Sequence, residues 1–259
     1  MNNYNFHEDY GRQLPVNNVN VPEDDNGYFP SVRKPVYNFL FILPLLVLYE
    51  FLIIATGTPI RNGADVIVKL FFNAIGIKTV IGFTLIIVSL YAFLVFSDKK
   101  SKDEKIYPIF FVFMLAESIM YAMILGPIVS KLTQKVIPQL ASLSMGDSAF
   151  TFTEKLIVSL GAGIYEEFVF RYFLISLFIY IFTKFFDLKY YHAGAFAIFW
   201  AALIFSAFHY IGSLGDQFDV ASFVFRFIAG VILSILYFMR GYGIAVYTHA
   251  IYDLKVYFF

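Results

Sequence analysis

Runs of apolar residues as long as a membrane is thick recur along this 259-residue chain, and they set its fold class. A helix rising 1.5 Å per residue needs about 20 apolar residues to cross a ~30 Å hydrocarbon core. Residues 37–55 form such a run, interrupted by one acid, Glu50. Further runs at 80–96, 106–129, 157–182, 193–210, 221–238 and a short 244–258 make seven expected spans, or eight if residues 128–143 dip into the bilayer. The expected fold is therefore all-α: a polytopic transmembrane helical bundle with seven to eight spans. Composition agrees, since the chain is 59% hydrophobic with 33 Phe, against about 45–50% apolar for a soluble domain.

The stretches between these runs set domains and orientation. Residues 1–35, rich in Asn, Asp and Tyr with Pro15, Pro22 and Pro30, show no apolar periodicity. They read as a disordered cytoplasmic tail without a cleavable signal peptide, followed by a single membrane-embedded domain over 36–259. Residues 58–78 mix Arg61, Asp65, Lys69 and Lys78 with Phe71 and Phe72, which suits a segment lying on the membrane surface. The most basic loop, 97–105, carries Lys99, Lys100, Lys102 and Lys105 and is expected on the cytoplasmic side, with the amino terminus. Nineteen Lys plus Arg balance nineteen Asp plus Glu, so there is no basic excess to neutralise a nucleic-acid backbone. With no cysteine, thiolate nucleophiles and thiolate metal sites are excluded.

Charges at the centre of membrane helices cost about 2.5–3.5 kcal/mol each on insertion scales, so they face partners or cavities and mark function. They concentrate here in the second half: Glu166, Glu167 and Arg171 in one apolar run, His209 at the end of the next, His249 and Asp253 in the last. Residues four apart share a helix face, so Glu167 can reach Arg171, and His249 stacks one turn from Asp253. Glu166 points elsewhere, without a partner in its own helix, and His209 is the group it is expected to meet. Desolvation beside Ile164, Phe168 and Phe170 suits a carboxylate to act as a base.

Each residue also has an architectural reading. Glu167 and Arg171 can be an ion pair that carries two charges into lipid, and His209 alone is explained by a hydrogen bond to a neighbouring carbonyl. Two histidines beside an unpaired Glu favour chemistry. Asp253 can orient His249 by fixing its tautomer. Glu50, Glu117 and Arg226 belong to no tight local cluster and read as structural, while His7 and His192 are poor candidates. The zinc motif H-E-x-x-H is absent. Ser206, a turn before His209, is the one attractive serine nucleophile.

Three motifs stand in order on successive apolar segments: Glu166-Glu167-Phe168-Val169-Phe170-Arg171 as E-E-x-x-x-R, Phe205-Ser206-Ala207-Phe208-His209 as F-x-x-x-H, and His249-Ala250-Ile251-Tyr252-Asp253 as H-x-x-x-[ND]. Together they resemble the CAAX protease and bacteriocin-processing family, to which the Ras-converting CAAX endopeptidase belongs. The resemblance implies an intramembrane glutamic endopeptidase needing no metal or other cofactor. Glu166 with His209 would activate the attacking water, His249 and Asp253 would line the oxyanion side, and Glu167 and Arg171 would support them. The family usually has Asn where this chain has Asp253, and an ionised acid cannot donate to an oxyanion, so Asp253 either carries a proton or holds His249. The implied substrate is a protein or peptide at the bilayer, prenylated in the CAAX case, and the expected location is a bacterial inner membrane. Two alternatives use the same residues: a zinc protease with Glu166, His209 and His249 as ligands, and a non-catalytic transporter or immunity-type scaffold.

Overall fold

The computed structural model describes residues 27–74, 105–137, 150–212 and 215–258, together with 89, 92 and 93. The expected span at 80–96 and residues 1–26 of the expected tail lie outside the described residues in whole or in large part, as does most of the basic loop 97–105. The described chain is helical without strands. In order come α1 (Tyr28–Ser31), α2 (Pro35–Thr56), α3 (Gly63–Ala74), α4 (Pro108–Val136), α5 (Phe152–Gly161), a π-helical segment (Ala162–Leu174), α6 (Ile175–Phe185), α7 (Tyr190–Phe208), α8 (Val220–Arg240) and α9 (Tyr242–Phe258).

Five helices among the described residues are long and apolar enough to cross a membrane: α2, α4, the continuous rod Phe152–Phe185, α7 and α8. Of the seven spans expected, the one at 80–96 lies outside the described residues and the short one at 244–258 is α9. Helix α9 reaches only 17 residues, about 26 Å of rise. Residues 128–136, part of the extra dip expected at 128–143, continue α4 through Pro127 without a break. The start of the chain departs too: Ser31 and Val32 are fully buried and Tyr28 donates to Glu117 at 2.6 Å, so order begins before residue 35.

Helix α9 is the axis of the bundle, packed by α2, α4, α5, the π-helical segment and α8. Gly243, Ile244, Ala245, Val246, Thr248, His249 and Ala250 are all buried, as befits a helix enclosed on every side. Its first turn is held by Asn38 of α2, whose Oδ1 accepts from the Gly243 N–H at 2.6 Å. At Gly163 the π-helical segment approaches so closely that a Cβ would lie 2.5 Å from the Val246 carbonyl oxygen. Helix α7 turns Ala193, Ala197 and Ala201 inward at i, i+4 spacing, all buried, in the small-residue packing that membrane helices use. Outward, Phe51, Phe113, Phe173 and Met239 stay exposed, as a lipid-facing surface requires.

Helix α3 begins two turns of buried polar contacts and is not one of the spans. Val66, Ile67, Leu70 and Phe71 face outward, while Asp65, one of the charges of the segment expected on the membrane surface, is fully buried. Its carboxylate accepts from the Tyr49 hydroxyl at 2.8 Å and pairs with Lys69 at 2.6 Å.

Candidate active site

The π-helical segment sets the geometry of the site. Its i→i+5 turn holds more residues than an α turn, so the angle between consecutive side chains narrows. Glu166 and Glu167 consequently both flank His249 across the interface with α9, where an α-helical reading turns Glu166 away. His249 Nδ1 lies 2.7 Å from Glu167 Oε1, and its Nε2 lies 4.0 Å from Glu166 Oε2 and 3.7 Å from Asp253 Oδ2. A carboxylate oxygen accepts, so Nδ1–H donates to Glu167 and Nε2 is left facing Glu166 and Asp253.

Glu167 is fully buried, and the same Oε1 stands 2.9 Å from Arg171 Nη1, confirming the i, i+4 ion pair read from the sequence. The contact that fixes His249 is thus made by Glu167, not by Asp253. Arg171 is itself buried, with its guanidinium carbon 4.2 Å from the centre of the Phe205 ring. Phe205 meets His209 edge-on at 4.9 Å and His249 at 6.2 Å, so one ring of the F-x-x-x-H motif lies beside Arg171 and both histidines of the site.

His209 caps the carboxyl end of α7, and its Nδ1 lies 2.9 Å from the Phe205 carbonyl. That carbonyl can only accept, so Nδ1 carries the proton and Nε2 holds the lone pair. This is the hydrogen bond foreseen in the architectural reading, yet it also fixes the tautomer a base would need. Glu166 does not hydrogen-bond to His209 as expected. Its Oε1 accepts from Asn62 Nδ2 at 2.7 Å, while Oε2 is buried without a hydrogen-bond partner among the described residues. Ser206 is committed elsewhere, donating to the Phe223 carbonyl of α8 at 2.7 Å.

Among the described residues no three His, Asp or Glu side chains gather as a metal-binding group, so the proposed zinc set of Glu166, His209 and His249 is not assembled. Arg226 pairs with Asp216 of the α7–α8 connection. Sequence reading missed Asn62 beside Glu166, and no motif marks it: it sits 104 positions from Glu166 in the chain. It also missed Arg240, which grips Glu117 with Nε at 2.5 Å and Nη2 at 2.8 Å.

No curated protein and no solved structure matches the chain. Residues 148–254, which carry all three motifs, match the model of the family described as type II CAAX prenyl endopeptidase Rce1-like, in line with the resemblance of those motifs.

Proposed function

We propose that the chain is an intramembrane glutamic endopeptidase of the CAAX type, cutting a peptide bond near the carboxyl terminus of a lipidated or membrane-bound protein. The observation that carries this reading is the state of Glu166: buried in the bundle, one oxygen held, the other unpartnered and turned toward His249. Such a carboxylate can take a proton from water as the hydroxide adds to the scissile carbonyl carbon. The Nε2 lone pair of His209 is the second acceptor for that water. The proton then passes to the amide nitrogen as the C–N bond breaks, giving a carboxylate and an amine.

His249 and Asp253 take the oxyanion side. With Nδ1–H committed to Glu167, His249 addresses the developing negative charge only as the imidazolium, donating from Nε2–H, and Asp253 joins it only in its protonated form. Glu167 and Arg171 are positioning residues: they hold the His249 ring from behind and touch no substrate. In this reading the amino terminus and the 97–105 loop face the cytoplasm of a bacterial inner membrane, and no metal takes part.

Cleavage of a quenched lipidated peptide library by the purified protein in detergent tests it. Glu166→Gln should lower kcat by about 10²- to 10⁴-fold, His209→Ala should do likewise, and a strong chelator should change nothing. Loss of activity with chelator would move the chemistry to a metal. Equal cleavage by wild type and Glu166→Gln would remove Glu166 from the mechanism.

A further inference from the structure

We infer that Asn62 is a positioning residue for Glu166, and that the loop and surface helix α3 which carry it are part of the active site. This rests on the endopeptidase reading above, and it assigns a role to a residue outside the family-matched stretch 148–254.

The orientation of the Asn62 amide is settled by its neighbours. The Ala64 N–H can only donate, and it lies 2.8 Å from Asn62 Oδ1. The NH₂ group is therefore the end that faces Glu166, at 2.7 Å. One side chain thus does two things: its oxygen caps the first turn of α3, and its nitrogen fixes one oxygen of the proposed general base. With that oxygen held, rotation of the carboxylate is stopped and the free Oε2 stays toward His249.

The surroundings are shaped to keep Asn62 there. It is buried, and its loop is tied at Thr58, which donates to Glu154 Oε1 of α5 at 3.3 Å. Gly161, five residues before Glu166, leaves the space the side chain fills: a Cβ at 161 would lie 2.8 Å from the Asn62 Cβ and 2.9 Å from the Tyr49 ring. Helix α3 turns Ile67, Leu70 and Phe71 outward, so the bilayer that seats this helix also sets the height of the amide that grips Glu166.

The test is steady-state cleavage by the full chain, with the unfolding temperature in detergent read beside it. Asn62→Asp keeps the oxygen that caps α3 but replaces the donor with an acceptor. It should lose about tenfold or more in kcat, with KM changed less than about twofold and unfolding near that of wild type. A capping role alone would leave its kcat intact, and that result overturns the inference. Should Asn62→Asp not fold, Gly161→Ala carries the same test by displacing Asn62 without a new charge; wild-type kcat in that variant overturns the inference equally. Glu166→Gln, run alongside, separates the two readings. If it is dead while Asn62→Asp is fully active, this inference fails alone; if it is active, both fail.

Discussion

The described residues up to 137 and those from 150 onward bury charges in the same apolar bundle, but they neutralise them differently. In the later region charges gather on one carboxylate, Glu167, which meets Arg171 a turn away in its own helix and His249 across the interface with α9. In the earlier region the spans hold their charges through long-range contacts, such as Glu117 of α4 with Arg240 of α8 and Tyr28 of α1. Glu117 has both carboxylate oxygens engaged, by Arg240 and by the Tyr28 and Tyr121 hydroxyls. The later arrangement leaves Glu166 Oε2 and Glu167 Oε2 without hydrogen-bond partners among the described residues. Unspent acceptors in a buried site are what chemistry needs, and saturated pairs are what stability needs.

The largest test of that contrast is Glu117→Ala. Removing one partner strands the Arg240 guanidinium, which is largely buried and lies over the Phe29 ring at 4.4 Å. A loss of about 3 kcal/mol in stability is expected, in line with other broken buried pairs. Unfolding in detergent measures it, and turnover per folded molecule should stay at the wild-type value. Reduced turnover in a fully folded Glu117→Ala would break the contrast, because the earlier region would then contribute charge to catalysis. Replacing both partners by apolar residues should recover much of the stability.

Legibility follows the same division. The all-helical membrane fold, the Glu167–Arg171 pair and the stacking of His249 one turn from Asp253 could be read from spacing, because each depends on a helical period within one motif or span. What could not be read depends on tertiary approach. Asn62 reaches Glu166 through a loop whose place is set by Glu154 and Gly161, and no periodicity encodes that. The convergence of Glu166 and Glu167 on one imidazole needs the π turn, which an α-helical wheel does not contain. Asp65 shows a subtler failure. Its spacing to Arg61 and Lys69 was visible, but i, i+4 charges look alike on a solvated face and on one turned toward Tyr49.

A smaller effect sharpens how the later region is assembled. Gly163→Ala would place a Cβ 2.5 Å from the Val246 carbonyl oxygen and 2.8 Å from the Ala250 Cβ, and the backbone of α9 has to yield. Overpacking of this kind costs about 1–3 kcal/mol, offset in part by the lower backbone entropy of alanine, worth roughly 0.5–1 kcal/mol. The shift falls on the contact between Glu166, Glu167 and His249, so turnover should drop by more than the stability loss alone accounts for. Comparing kcat with unfolding temperature checks this. If the two fall in proportion to the unfolded fraction, close packing at Gly163 serves the fold and not the site.

The smallest effect concerns Asp65, on α3 outside the five spans. Burial pushes its carboxyl up from the ordinary 3.8, against the opposing pull of Lys69, the Tyr49 hydroxyl and Arg61. A group with a higher pKa in the fold than in the unfolded chain holds its proton more tightly when folded. Its stabilising contribution is therefore whole below 3.8 and is lost as pH rises through the raised folded value. Asp65→Asn cannot ionise and lacks this dependence. The wild type should accordingly lose unfolding temperature relative to Asp65→Asn as pH climbs from acid toward neutral, and the gap should then level off. Two cations at i±4 oppose the burial, which keeps the effect small. A gap that shrinks with rising pH would mean the cations outweigh burial, making Asp65 a saturated pair like Glu117; a gap that widens makes it an acid held at a cost, a turn from the amide that grips Glu166.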